Sequence, residues 1–365
     1  MKAGILTFHF AYNYGAVLQA YALQKTLEEY EVDVSVIDYR VKAIENKNKQ
    51  VRQDKNFLSN FKEVVSNRFH NSYLNKKHKK FDAFLDNYLN VTDRTYRNYK
   101  DIVSLDLDAY VFGSDQIWNP NITGGFDQAY FGGFLPDESN AKRLSYAASI
   151  GLSTLTSQQS TDFKRLIDNL DYISLRESQA TELVSNLTNK PVSTVLDPTF
   201  LLQEEQWNDI IINPSINKKY LLIYSLEENL DMIKSAYNIA NKYNLEVIEI
   251  KPRKKFRDAK HRIIVESGPR EMLGWLKNAD IVFTNSFHGT TFSLIFNKNF
   301  FVFPHSKVPS RMISLLELLK VEERLVRDSN DIENVNDIDY ESTKKSLNYH
   351  INESKAYLKQ ALNKE

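Results

Sequence analysis

The first forty residues constrain the fold most. Ala3 to Phe8 and Val32 to Tyr39 are short apolar runs of strand length, and between them Ala16, Ala20, Leu23 and Leu27 recur at helical spacing on a segment from Gly15 to Tyr30. Two strands of like direction need a crossover of a dozen or more residues, and a helix fills it. The stretch therefore reads as one βαβ unit, which commits the chain to a parallel sheet covered by helices. Asn13 stands where a helix N-cap belongs.

The alternation continues. Asp108 to Phe112, Arg143 to Gly151, Tyr172 to Arg176 and Val192 to Leu196 read as strands, with a helix near Gln158 to Asn169. A polar break with Pro214 falls between Leu202 and Lys219. A second series then begins with strand Tyr220 to Ser225, helix Asn229 to Tyr243, strands Glu246 to Ile250 and Arg262 to Val265, and helix Pro269 to Lys277. Ile281 to Phe283 is a strand that leads through a polar crest, Asn285 to Gly289, into a helix from Thr290. Strand Phe301 to Phe303, a helix around Ser310 to Leu319 and an amphipathic helical end from Asp339 complete it. At 365 residues, with 42% hydrophobic and 12% aromatic content, the chain can bury two cores. The expected fold is α/β: two doubly wound Rossmann-like domains facing a cleft, in a GT-B-like arrangement. Residues 1–210 form the N-terminal domain with a charged helical insert near 42–100, and 211–330 the C-terminal domain. Residues 331–365 form a helical segment that packs back on the first domain.

Several function classes fall away. Lys plus Arg and Asp plus Glu balance at 47 each, so no global field recruits nucleic acid or a membrane surface. The insert carries NKNK and NKKHKK, read as solvated basic faces on helices packed by Phe57, Phe61, Phe69 and Phe81. Cysteine is absent, which removes disulfides, thiolate nucleophiles and cysteine-ligated metals. His9, His70, His78, His261 and His350 show no metal-ligand spacing, and no metal or cofactor is expected. Neither a dinucleotide fingerprint nor a phosphate-binding P-loop occurs. No apolar run approaches the roughly 18 residues of a membrane helix, and the start lacks a leader pattern, so a cytoplasmic location is expected.

Open parallel sheets place ligands at the C-terminal ends of their strands. Three polar clusters fall there: Asn13, Tyr14 and Gly15; Ser114, Asp115 and Gln116; and Asn285, Ser286, His288 and Gly289. Arg176 and Glu177 end a fourth strand. His288 lies at a helix start, where backbone N–H groups and the helix dipole favour a phosphate or carboxylate. The run KPRKKFRDAK, 251–260, reads as a solvated loop or as a contact for the diphosphate of an acceptor.

Taken in order, NYGAVLQAYALQ, FGSDQIWNP, SYAASIG, SLRES, VLDPTFLL and TNSFHGTTFSLIF resemble the polysaccharide pyruvyl transferase family over roughly residues 4 to 330. The resemblance implies a GT-B-like fold and transfer of a pyruvyl group from phosphoenolpyruvate to a hydroxyl pair of a sugar. The product is a pyruvate ketal on a cell-surface polysaccharide precursor, as in an exopolysaccharide or capsule. His288 matches the family histidine and Arg176 a donor-holding arginine. The acceptor would be nucleotide- or lipid-linked, with peripheral association with a glycan-assembly complex. Where family members carry a basic residue two positions before the histidine, this chain has Ser286, so another cation must complete the donor clamp. Arg311, at the helix start in KVPSRMISLLELL, is the candidate, with Lys307 and His305 close by.

The chemistry sets its own demands. Phosphoenolpyruvate carries a phosphate and a carboxylate, for which a planar Arg fork is the best match. Protonation of its methylene carbon makes an oxocarbenium-like centre that a hydroxyl attacks, so an acid and a base are both required. His288 suits one task, and Asp115 or Glu177 the other. Each also has a structural reading: Asp115 as a cap bracing its loop, Glu177 paired with a neighbouring Arg, Asn13 as a cap. Two rivals share the architecture, a glycosyltransferase with a nucleotide-sugar donor and a noncatalytic glycan- or anion-binding relative.

Overall fold

A computed structural model describes residues 1–45, 61–102, 105–252, 261–304, 310–328, 332 and 337–363, with the backbone alone for 61–71 and 310. The chain divides into two compact units, one of Met1–Asp54, Leu85–Leu202 and Asn348–Glu365, the other of Lys55–Phe84 and Gln203–Leu347.

In the first unit β1 (Lys2–Leu6), β2 (Asp33–Val36), β3 (Ala109–Asp115), β4 (Lys142–Ala148), β5 (Ile173–Leu175) and β6 (Val192–Thr194) form one sheet in the order β2-β1-β3-β4-β5-β6. Every pair is parallel. Strands buried on both faces read as continuous apolar runs, and Ile5, Leu6, Val111 and Phe112 are all fully buried. Each such side chain contributes about 1.5–3 kcal/mol. Asn13 is the N-cap of helix Tyr14–Glu29, its side chain accepting from the Ala16 N–H at 3.2 Å. That helix packs against the sheet and against the turn Pro198–Phe200, so it is buried almost all round. The strand expected to stop at Phe112 runs on to Asp115. Gly113, at φ 123°, permits this: a Cβ there would stand 2.2 Å from the Tyr146 carbonyl oxygen of β4.

Helix Tyr340–Leu362 contributes its residues from 348 onward to this unit. The Tyr357 hydroxyl donates to the Ser145 carbonyl at 2.8 Å, Lys142 Nζ to the Ala361 carbonyl at 3.1 Å, and the Leu196 N–H to Ser354 Oγ at 2.9 Å.

The second unit contains β7 (Tyr220–Tyr224), β8 (Glu246–Ile250), β9 (Arg262–Ile264), β10 (Ile281–Thr284) and β11 (Asn299–Val302), again all parallel, in the order β11-β10-β7-β8-β9. Its polypeptide starts earlier than residue 211. Trp207, fully buried on the short helix Glu204–Asn208, meets Phe292 edge-on at 4.9 Å, which draws that helix into this unit. The insert contributes as well. Helix Phe61–Tyr88 belongs here through Phe84, and Lys80 Nζ lies 2.8 Å from Glu271 Oε1. Its basic face is not wholly solvated: Lys77 and His78 are buried, and burial pushes the Lys77 amine down to about 8. Phe81 is fully buried, whereas the side chains of Phe57, Phe61, Phe69 and His70 lie outside the described residues. Among the described residues no helix is long and apolar enough to cross a membrane.

Each sheet has one point where strand order reverses, between β1 and β3 in the first unit and between β7 and β10 in the second. Loops leaving such strands at their C-terminal ends diverge and open a crevice. The candidate residues Asn13 to Gly15, Ser114 to Gln116 and Asn285 to Gly289 all follow these four strands or end them.

Candidate active site

In the first unit the ends of β3, β4 and β5 are in register: Asp115 pairs with Ala148, and Ala148 with Leu175. One residue further stand Gln116, Ser149 and Arg176. The Arg176 side chain is only 2% exposed. Its Nη1 donates to Asp197 Oδ2 at 2.7 Å, its Nε to Glu177 Oε1 at 3.2 Å, and its Nη2 lies 3.9 Å from Asp115 Oδ1. Burial alone would lower the guanidinium pKa, but the charges of Glu177, Asp197 and Asp115 outweigh it and hold the pKa above the ordinary arginine value.

Asp197 is itself saturated. Its Oδ1 accepts from the Thr199 N–H at 3.1 Å and hydroxyl at 2.7 Å, while Ser114 Oγ donates to Oδ2 at 3.3 Å. Ser114 is locked from its other side, its N–H donating to Gln19 Oε1 and its carbonyl accepting from Thr7 Oγ1. Asp115, at φ 71°, accepts from the Gln116 N–H at 2.8 Å, and Gln116 Oε1 accepts from Asn119 Nδ2 at 2.7 Å. Glu177 is the N-cap residue of helix Ser178–Ser185 but makes no side-chain capping bond. Its carboxylate turns to Arg176 instead, and Oε2 is buried with no hydrogen-bond partner among the described residues.

The predicted residues thus separate by employment. Ser114, Asp115, Arg176 and Glu177 form one buried cluster, with Gln116 beside it. Asn13 is an exposed helix cap, and Tyr14 and Gly15 are buried in the first turn that it caps. Arg176 is turned inward onto three carboxylates.

In the second unit the loops after β7 and β10 are stitched together by Asn285. Its Oδ1 accepts from the Leu226 N–H at 2.8 Å and its Nδ2 donates to the Glu227 carbonyl at 2.9 Å. Helix Phe287–Ile295 begins three residues earlier than the sequence suggests, because Ser286 is its N-cap and accepts from the Gly289 N–H at 3.3 Å. His288 therefore sits within the first helical turn rather than before it. Gly289 is sterically required, since a Cβ would meet Thr284 Oγ1 at 2.2 Å and Tyr224 Cδ1 at 2.8 Å. Burial pushes the Tyr224 phenol up to about 12, and a hydrogen bond with Ser286 pulls against that.

No acidic residue lies in this first turn, so the helix dipole is unopposed locally. The His288 ring meets Phe287 edge-on at 5.2 Å, and the Arg311 guanidinium stands 6.0 Å from the centre of the same Phe287 ring. Arg311 is thereby brought to the neighbourhood of His288. Lys307 and His305 lie outside the described residues, as does 253–260 of the basic run. Arginine and a helix N-terminus together suit an anion with several oxygens.

The polysaccharide pyruvyl transferase family model matches residues 13–307, well over half of the chain. The chain belongs to that family. The matched span takes in both the Arg176 cluster and the His288 helix of this pyruvyl transferase family member. No curated protein sequence matches it. Among solved structures the fold resembles S. aureus MnaA, determined with UDP, at 13% identity and a TM-score of 0.51, covering 99% of this chain and 96% of that one. A putative UDP-N-acetylglucosamine 2-epimerase from Listeria monocytogenes gives 10% identity and a TM-score of 0.51 over 96% of this chain and 90% of that one. At such identities the likeness is one of fold, the expected α/β architecture of GT-B-like type.

Sequence reasoning left out several members of these networks. Asp197 sits before Pro198 in VLDPTFLL, where an acidic residue reads as a turn cap, and it is one, but its second oxygen anchors Arg176. His9 and His261, which look isolated along the chain, are each bonded to a carboxylate. His9 Nε2 is 3.1 Å from Asp38 Oδ1. His261 Nε2 is 3.0 Å from Glu249 Oε2, with its Nδ1 at 2.8 Å from the Tyr237 hydroxyl. Among the described residues no group of His, Asp and Glu is arranged to hold a metal ion.

Proposed function

We propose that this family member transfers the pyruvyl group of phosphoenolpyruvate to two hydroxyls of a sugar, forming a cyclic ketal on a cell-surface polysaccharide precursor and releasing inorganic phosphate. The observation that carries the reading is His288 on the first turn of a capped helix with no acidic residue, with Arg311 beside the adjoining Phe287, inside a chain of this family. In this reading the donor's phosphate and carboxylate are met by the positive end of the helix and by Arg311. His288 is one proton-handling group. Within the first unit, the group suited to handling a proton is Glu177, because one oxygen of its buried carboxylate is engaged by Arg176 while the second has no hydrogen-bond partner among the described residues.

The step balances. A proton adds to the methylene carbon, which becomes the methyl group, and the adjacent carbon takes the electron pair of the first hydroxyl. The carbon–oxygen bond to phosphate breaks, and the second hydroxyl attacks the same carbon to close the ring. Of the two hydroxyl protons, one balances that added to carbon and one leaves with phosphate. Arg176 acts as a positioning residue that holds the carboxylates in place.

The test is calorimetric titration with phosphoenolpyruvate, UDP-sugars and GDP-sugars in parallel, followed by assay of phosphate release with sugar acceptors. Saturable phosphoenolpyruvate binding and acceptor-dependent phosphate release, lost in His288→Ala, is the expected result. Indifference to phosphoenolpyruvate with and without acceptor, alongside saturable binding of a nucleotide sugar, would replace this reading with a glycosyltransferase.

A further inference from the structure

β7 and β10 flank the reversal of strand order in the second unit, and their ladder ends at Tyr224 opposite Thr284. Loops leaving such strands diverge. Here side chains take over from the ladder and hold the two exits together. Thr284 Oγ1 donates to the Tyr224 carbonyl at 2.8 Å and accepts from the Ser286 N–H at 3.0 Å. Asn285, the next residue, accepts from the Leu226 N–H and donates to the Glu227 carbonyl of the opposite exit. Thr284 is fully buried and Asn285 is 1% exposed, so neither side chain has surface with which to meet a ligand.

The relay continues into the helix that carries His288. Ser286, held at its N–H by Thr284, accepts from the Gly289 N–H through Oγ. Its carbonyl accepts from the Thr290 N–H at 3.0 Å and from the Thr290 hydroxyl at 3.1 Å. Gly289 approaches so closely that a Cβ on it would meet the same Thr284 hydroxyl. The N–H, hydroxyl and carbonyl of Ser286 are thus all committed, and the start of helix Phe287–Ile295 is set relative to β7 through the Thr284 hydroxyl. Hydrogen bonds joined in series strengthen one another, and a group that moves a proton must be held within a fraction of an ångström by its supporting residues.

We infer that Thr284 and Asn285 are positioning residues for His288: they hold the β7 exit and the β10 crest as one block and fix the backbone from which His288 acts. Asn285, which the sequence offers as a ligand contact, works through the backbone instead. The inference rests on the proposed pyruvyl transfer for its kinetic consequence, but not for the positioning itself.

The test compares three variants of the full chain. Thr284→Val keeps the shape and deletes both bonds, Thr284→Ser keeps the hydroxyl, and Asn285→Ala frees backbone groups beside Leu226, which at 40% exposure lets water replace the lost bonds. Tyr220→Phe is the control, since it deletes a buried bond of the same kind, Tyr220 hydroxyl to Trp275 carbonyl at 2.7 Å, at the other end of β7. The His288 ring is followed by NMR of isotope-labelled histidine, its signals assigned by their loss in His288→Gln. They move in Thr284→Val and Asn285→Ala, return in Thr284→Ser and stay in place in Tyr220→Phe. In acceptor-dependent phosphate release from phosphoenolpyruvate, Thr284→Val falls about ten- to a hundredfold, in kcat more than in KM, and Thr284→Ser recovers most of it. Ring signals unmoved in both Thr284→Val and Asn285→Ala, moved as far in Tyr220→Phe, or not restored by Thr284→Ser overturn the positioning role, as does undiminished kcat in Thr284→Val. Ring signals that move as expected in a protein that does not turn over phosphoenolpyruvate leave the positioning standing and remove the proposed reaction instead.

Discussion

At the ends of β3, β4 and β5, a buried guanidinium is surrounded by three carboxylates and braced by Ser114, Gln19 and Thr199. At the end of β10, a helix starts with a serine cap, a histidine and no acid, and the nearby cation, Arg311, leans on an aromatic ring. Both places include the end of a strand that flanks a reversal of strand order, β3 in one and β10 in the other, yet one is acidic around its arginine while the other presents positive potential. Equivalent topology therefore fixes where a ligand is met without fixing its sign. The sign follows from which side chains the strand ends carry.

The strongest way to break this contrast is Arg176→Ala. If Arg176 neutralises the cluster, its loss leaves buried carboxylates uncompensated and lowers stability by about 3–5 kcal/mol in denaturant unfolding. A variant of native stability that has lost only phosphoenolpyruvate affinity would return Arg176 to the donor site. His288→Ala tests the opposite pole, with an expected loss of about a thousandfold in acceptor-dependent phosphate release and an unchanged unfolding curve.

Acid sharpens the comparison further. Burial would raise the Asp38 pKa, but hydrogen bonds from His9, Arg40 and Thr95 outweigh it and hold the carboxyl well below its ordinary range. In the second unit burial likewise opposes, and His261, Lys251 and Ser225 lower, the Glu249 pKa. A carboxyl depressed in the folded state binds fewer protons there than when unfolded. Its stabilisation is complete above the unfolded value, about 4, and fades as pH falls through the folded one. Denaturation followed from about pH 7 down to about pH 3 should show a stability loss that Asp38→Asn and Glu249→Gln each make shallower. An acid limb untouched by either substitution would remove both networks from the account. The smallest effect belongs to Ser286→Ala, which deletes the cap of the His288 helix at about 1 kcal/mol, read as a modest fall in melting temperature.

Much of the architecture was legible because parallel strands buried on both faces are apolar runs, and Glu246–Ile250, Pro269–Lys277 and Ser310–Leu319 appear with the expected bounds. Local ends were harder. Ser286 capping a helix and Ser286 in a turn present the same letters, so the early start at Phe287 depended on a hydroxyl finding the Gly289 N–H. The strand expected to end at Phe112 continues against β4, and Gly113 lets it do so. The assignment of Trp207 and of helix residues through Phe84 to the second unit arises from contacts far apart in sequence, to Phe292 and Glu271. Within the candidate site the residue types were visible and their pairings were not, because Arg176 meets Asp197 across 21 positions and Ser114 meets it across 83.

Helix Tyr340–Leu362 carries a consequence for how the molecule is made. Lys142 and Ala361 bond across 219 positions, and Tyr357 and Ser145 across 212. The first unit therefore lacks part of its own packing while residues 203 to 347 emerge from the ribosome and the second unit acquires its chain. Vectorial synthesis delivers the second unit's strands before the first can close. Completion of the first unit must wait for contacts of very long loop closure, the slowest kind to form.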